Sequence, residues 1–131
     1  MGNKQKNTLT TPEWITMNAL WGKEPQVLSE IIESIGDQVE WSYNTYFSYM
    51  KILCEKGYVG YTVRGRMKFY YAKVEREECI EQESESIFHK LGSADAEKLL
   101  LCMLKKTKLS REGQEQLRDL IDQLAEEEEA D

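Results

Sequence analysis

The chain has 131 residues, with 40% hydrophobic and 31% charged side chains and a formal net charge of −7. That balance suits one soluble domain of ordinary size, or a small domain with an appendage, and argues against a disordered chain. The longest apolar run, Leu99-Leu100-Leu101-Cys102-Met103-Leu104, falls far short of the ~20 residues a membrane helix needs, so no membrane insertion is expected. No apolar stretch follows the charged N-terminus to make a secretory signal, and the cytoplasm is the expected location.

Residues 1–9 read as a polar, loose arm. Thr10-Thr11-Pro12-Glu13 opens a first helix, with Thr11 as its cap and Pro12 at the first helical position. Trp14, Met17, Leu20 and Trp21 form its apolar stripe, and Gly22 stops it. Val27, Leu28, Ile31, Ile32 and Ile35 space out a second helix, ended by Gly36. Ser42 caps a third, which runs to about Lys56, buries Tyr46, Tyr49, Met50, Leu53 and Cys54, and closes at Gly57. Tyr58–Val63 and Met67–Ala72 are rich in strand formers and flank Arg64-Gly65-Arg66, so they predict a hairpin. Three helices followed by a two-stranded flap is the element order of a winged helix.

The remainder reads as helical. Residues 75–91 form a polar, acidic helix, Gly92-Ser93 breaks it, and a helix carrying the 99–104 run follows. Leu109-Ser110 starts the last helix, on which Leu117, Leu120, Ile121 and Leu124 recur at i, i+3, i+4 and i+7. Glu126–Glu129, Ala130 and Asp131 read as a solvated, frayed acidic tail. These helices are too thin to bury the 99–104 run themselves. A symmetric dimer of interlocked rear halves is the economical solution, and packing of the run on the front half is the alternative. The expected fold is therefore mainly α with a small β-hairpin: a winged helix-turn-helix domain over residues 1–74 and a helical dimerisation region with an acidic tail over 75–131. The dimer-forming residues are Leu99, Leu100, Met103, Leu104, Leu117, Leu120, Ile121 and Leu124.

Charge divides along the same line. Residues 1–74 hold nine Lys and Arg against seven Asp and Glu, a net +2, whereas residues 75–131 hold eight against seventeen, a net −9. The front half can meet phosphates that the rear half repels. No catalytic chemistry is legible. His89 has no partner at useful spacing, and no glycine-rich phosphate loop or nucleophile elbow occurs. Cys54, Cys79 and Cys102 are too scattered for a disulfide framework or a metal knuckle. No enzyme, cofactor or metal is expected.

On the third helix, Ser42, Tyr43, Asn44, Thr45, Phe47, Ser48 and Lys51 are the candidates for contact with duplex DNA. Asn44 suits adenine, Thr45 and Ser48 suit base or phosphate, and Phe47 suits a thymine methyl. Ser42 and Thr45 equally suit the helix cap, and Phe47 equally suits the core. Lys56 offers a further phosphate contact. Arg64, Arg66 and Lys68 cluster at the hairpin tip, where they suit the DNA backbone or minor groove, or merely discourage edge pairing.

Leu9 to Trp21, with Glu13-Trp14, Met17 and Trp21, is similar to the opening helix of the penicillinase-repressor (BlaI/MecI/CopY) family. Trp41-Ser42-x-x-Thr45 with Leu53 and Lys56-Gly57 resembles that family's recognition helix. Gly65-Arg66 with Tyr70 resembles its wing, and Lys90–Ser93 with the helical tail its dimerisation region. The resemblance spans about Leu9 to Leu124. It implies a homodimeric transcriptional repressor on a palindromic operator. For several members it also implies regulation by antibiotic through a membrane sensor-protease partner that relieves repression. Three departures stand out. Cys102-Met103 replaces the Asn-Phe pair of cleaved members, no C-terminal Cys-x-Cys pair exists for copper sensing, and Phe47 and Ile52 replace common arginines. The rival reading is a winged-helix protein-interaction module, suggested by Tyr43, Tyr46, Phe47 and Tyr49 and by the acidity. Aromatics facing outward favour that rival, and aromatics facing inward favour DNA binding.

Overall fold

The computed structural model describes residues 8–130. Their element order is α1 (Thr11–Leu20), α2 (Leu28–Ile35) with a 3-10 turn at Gly36–Gln38, α3 (Tyr43–Lys56), β1 (Val59–Arg64), β2 (Met67–Ala72), α4 (Arg76–Leu91), α5 (Ser93–Lys106) and α6 (Arg111–Ala130). The chain forms two compact units, one up to His89 and one from Lys90 onward.

The front unit is held by α1, α2 and α3 packed through Met17, Leu20, Ile31, Ile35, Met50 and Leu53, each 0 or 1% exposed. Thr10 caps α1, one residue earlier than expected, because a reciprocal box forms there. Thr10 N–H donates to Glu13 Oε1 at 2.9 Å, and Glu13 N–H donates to Thr10 Oγ1 at 3.4 Å. The expected loose arm is corrected at its end, since Leu9 is buried in the core; residues 1–7 lie outside the described residues. Glu13 itself is buried, and both of its oxygens accept from Lys56 Nζ at 2.9 Å. This pair joins the start of α1 to the end of α3. It also takes the ammonium of Lys56, which is therefore not a free phosphate contact.

Ser42 and Gly57 bound α3 as its sequence predicts. Ser42 Oγ accepts from Thr45 N–H at 3.3 Å. Gly57 adopts φ +85, which lets Tyr58 N–H donate to Leu53 O at 3.0 Å and fold the chain back into β1. The hairpin pairs Val59 with Ala72 through Arg64 with Met67, and the turn is Gly65-Arg66. Gly65 sits at φ +62 and Arg66 does not have positive φ, the pattern of a type II′ turn. A third, one-residue strand is invisible in the sequence pattern. Gln26 exchanges both backbone hydrogen bonds with Tyr70, at 3.0 and 2.8 Å, while its side chain donates to Ala19 O at 2.9 Å.

The acidity rises after Val74, yet the packing of the front unit runs on through α4. Cys79 is buried in the same core, Trp14 Nε1 donates to Glu83 at 3.4 Å, and Trp21 Nε1 donates to Val74 O at 2.9 Å. Burial pushes the Cys79 thiol up to about 11, with the Glu78 charge adding to the rise. The Cys54 thiol is raised as well, chiefly by burial.

In the rear unit no residue of α5 or α6 is buried within the chain. Leu99, Leu104 and Leu117 are half-buried, and Leu100, Leu101, Met103, Leu120, Ile121 and Leu124 are each more than half exposed. Ser110 caps α6 by accepting from Gly113 N–H at 3.0 Å. Where a frayed end was expected, α6 continues through Glu126–Glu129 to Ala130; Asp131 lies outside the described residues. The whole is a winged helix-turn-helix unit followed by helices, mainly α with one hairpin.

Two substitutions test these local arguments. Lys56→Met strands a buried carboxylate and is expected to cost about 1–3 kcal/mol, read as a lower urea midpoint at unchanged slope. Ser42→Ala removes the cap of α3 and is expected to cost ~1 kcal/mol by the same measurement. Wild-type midpoints for either variant would contradict the assignment.

Candidate nucleic-acid interface

Helical periodicity decides which side of α3 is free. Tyr46, Met50 and Leu53 turn inward, so Asn44, Phe47, Ser48 and Lys51 fall on the outward side; Tyr43, in the first turn of the helix, is exposed as well. Asn44, Ser48 and Lys51 make no side-chain hydrogen bond or ion pair among the described residues, so their polar atoms are available. Ser42 and Thr45 are committed differently. Besides the cap, their hydroxyls share a hydrogen bond at 3.1 Å, so both oxygens already serve the helix start.

The four aromatic residues of α3 divide evenly. Tyr46 is buried, and Tyr49 lies half-buried against Trp41 with ring centroids 4.8 Å apart. Tyr43 and Phe47 face outward at 63% and 41% exposure. The test of ring orientation is thus met half by each reading.

The hairpin corrects the expected cluster of three cations. Side chains alternate across a strand. Arg64 pairs with Met67 and Lys68 pairs with Val63, so Arg64 and Lys68 point to opposite faces of the flap. Arg64 lies over the Phe69 ring at 5.0 Å. Lys68 lies instead over Tyr61 at 4.6 Å and over Phe47 of α3 at 5.7 Å. Arg66 occupies the turn and is exposed. What stands beside α3 is therefore one cation at the turn, one on the outer face, and one folded inward onto rings.

Two open cavities lie between these elements. One of about 260 Å³ is lined by Phe47, Lys51, Cys54, Tyr61, Lys68 and Tyr70 among others. One of about 340 Å³ is lined by Tyr43, Phe47, Arg66, Met67, Lys68 and Tyr70 among others. Among the described residues no three His, Cys, Asp or Glu side chains converge on a metal position, and no helix is long and apolar enough to cross a membrane. His89 is exposed on α4. The sequence pattern missed Tyr61 and Glu13. Tyr61 carries only the strand signal, and Glu13 resembles any first-turn acid until its partner 43 residues away is known.

Comparison with known proteins agrees with this architecture. The chain is 27% identical over 113 residues to the methicillin resistance regulatory protein MecI of Staphylococcus aureus (strain N315), covering 86% of this chain and 92% of that protein. It is 26% identical over 125 residues to the penicillinase repressor of Staphylococcus aureus, covering 95% and 98%. A crystal structure of the PcaV transcriptional regulator from Streptomyces coelicolor in complex with its natural ligand superposes at a TM-score of 0.49 and 18% identity, covering 92% of this chain and 77% of that one. At that level it adds nothing to the fold already described. The profile of the penicillinase repressor family matches residues 9–123. With nearly the whole chain matched, from the buried Leu9 into the last helix, the protein belongs to the penicillinase repressor family, whose members are transcriptional repressors and not enzymes.

Proposed function

We propose that the chain represses transcription as a homodimer, each copy reading one half-site of a palindromic operator in duplex DNA. The observation that carries the reading is the outward stripe Asn44, Phe47, Ser48 and Lys51, with the exposed Tyr43, beside an exposed Arg66 turn. The stripe suits the major groove. Asn44 pairs with adenine, Phe47 meets a thymine methyl, Ser48 bonds base or phosphate, and Lys51 holds the backbone. Arg66, with Arg64 outside it, grips the flanking backbone as a wing. Ser42 and Thr45 contribute by fixing the helix start. The site of action is the cytoplasm, where the operator lies.

Dimerisation is supported by the rear helices. Leu100, Leu101, Met103, Leu120, Ile121 and Leu124 are each more than half exposed in one copy. Full burial of a side chain of this kind is worth about 1.5–3 kcal/mol, so covering its exposed half contributes about half of that. A second copy covers Leu99, Leu100, Met103 and Leu104 of α5 and Leu117, Leu120, Ile121 and Leu124 of α6. No cleavage step is assigned.

A second reading rests on one observation. Tyr43 and Phe47 are exposed rings, and such rings also suit a protein partner. Binding to duplex separates the two. In a mobility-shift titration the segment upstream of the protein's own gene is expected to bind about a thousandfold or more tighter than a shuffled duplex. Arg66→Gln is expected to lower the slope of log affinity against log salt by about 0.9 per protomer. Equal affinity for the two duplexes would overturn the DNA reading in favour of the protein-contact one. In light scattering the wild type is expected at twice the chain mass. Leu120→Glu with Leu124→Glu is expected to give single chains with weakened operator binding, and a wild-type monomer at micromolar concentration would overturn the dimer.

A further inference from the structure

Among the cations near the recognition helix, Lys68 is the one whose ammonium is engaged by rings from two elements at once. The base of the hairpin is held by backbone. Tyr70 pairs with Gln26, Tyr58 N–H donates to Leu53 O, and Tyr58 and Val59 are buried. Beyond Tyr70 the flap projects three further rungs, Thr62–Phe69, Val63–Lys68 and Arg64–Met67. Those rungs are little buried: Val63 is 61% and Met67 49% exposed. The two cavities described above flank this part of the flap, and Phe47, Lys68 and Tyr70 line both of them. The Lys68 side chain thus crosses the gap from β2 to α3, with its Nζ 5.7 Å from the Phe47 centroid and 4.6 Å from that of Tyr61. Among the described residues it makes no ion pair within 4.0 Å.

We propose that Lys68 is a positioning residue, a cation–π clamp that sets the distance between the wing and the recognition helix, and not a phosphate ligand. The inference rests on the DNA-binding reading for its consequence and on geometry for its substance. A ring face attracts an ammonium through its quadrupole, and two faces on different elements convert that attraction into a tether. With the tether in place the Arg66 turn is held at a fixed span from Lys51 and Asn44. Without it the three distal rungs swing on the Tyr70–Gln26 pair, and the wing meets the backbone in many positions. Lys68 stays exposed overall, as a clamp across an open groove must.

The test uses the full chain. Lys68→Gln and Tyr61→Leu are each expected to weaken operator binding about two- to fivefold per wing, with the log affinity–log salt slope unchanged. The double variant is expected to lose no more than either single one, because both remove the same contact. Arg66→Gln serves as the contrast that does change the slope. A fall of about 0.9 per protomer in the Lys68→Gln slope, or additive losses in the double variant, would overturn the clamp. Two measurements need no DNA. The Lys68 ε-methylene protons are expected upfield of ordinary lysines and to return in Tyr61→Leu, and amides of Thr62–Lys68 are expected to exchange faster in Lys68→Gln. Ordinary lysine shifts, or unchanged exchange, would overturn the clamp. If the wild type binds no duplex selectively, the DNA reading falls, while the tether is still decided by these two results.

Discussion

The structure depends on α3 being fastened at both ends while burying only one stripe. Ser42 sets its first turn, and Gly57 with Tyr58 turns the chain out of its last. Between them Tyr46, Met50 and Leu53 lock the helix against α1 and α2, which fixes its rotation about its own axis. A helix held in this way has no freedom over what it shows to solvent, since the outward residues are whatever lies opposite the core. The Glu13–Lys56 pair adds a second restraint, tying the helix end to the start of α1 by a charge-assisted contact that is shielded from solvent on the carboxylate side. The proposed recognition surface is a consequence of packing done elsewhere.

That surface is poor in cations for a nucleic-acid reader. Among the described residues Lys51 is the one free ammonium on the outward stripe, Lys56 is paired, and Lys68 is folded onto rings. Positive charge is carried mostly by the wing, through Arg66 and Arg64. A protein with few phosphate contacts depends on placing each of them well, and on doubling them in an assembly. The rear helices supply a physical reason for doubling, because six of their large apolar side chains are left more than half exposed in a single copy. Their acidity, including four consecutive glutamates carried on an intact helix, disfavours contact between that part of the chain and phosphate.

Local signals gave most of the front unit. Ser42, Gly57 and Gly65 announce a helix start, a helix stop and a turn by chemistry that acts within a few residues, and the structure has all three. What depended on distant partners was not legible. Gln26 forms a strand of one residue, too short for any alternation to betray. The choice of Thr10 over Thr11 as cap turns on the reach of Glu13, and the alliance of Glu13 with Lys56 joins two elements far apart in sequence. For the interface, the outward stripe followed from the period of the helix, but the opposite facing of Arg64 and Lys68 required the strand register, which a run of three nearby cations conceals. The departure of α6 from the expected frayed end has a similar source. Leu117 to Leu124 sustains the helix, and the four glutamates extend it, being good helix formers even where nothing packs on them.

The central claim is that two copies of α3 and its wing grip one face of a duplex together. Hydroxyl-radical footprinting of the full-length protein on the segment upstream of its gene measures this directly. The account predicts two protected patches on the same face of the helix, related by two-fold symmetry and separated by one helical turn, about 10 base pairs, or a multiple of it. A single patch, or cleavage indistinguishable from naked DNA at saturating protein, would contradict it.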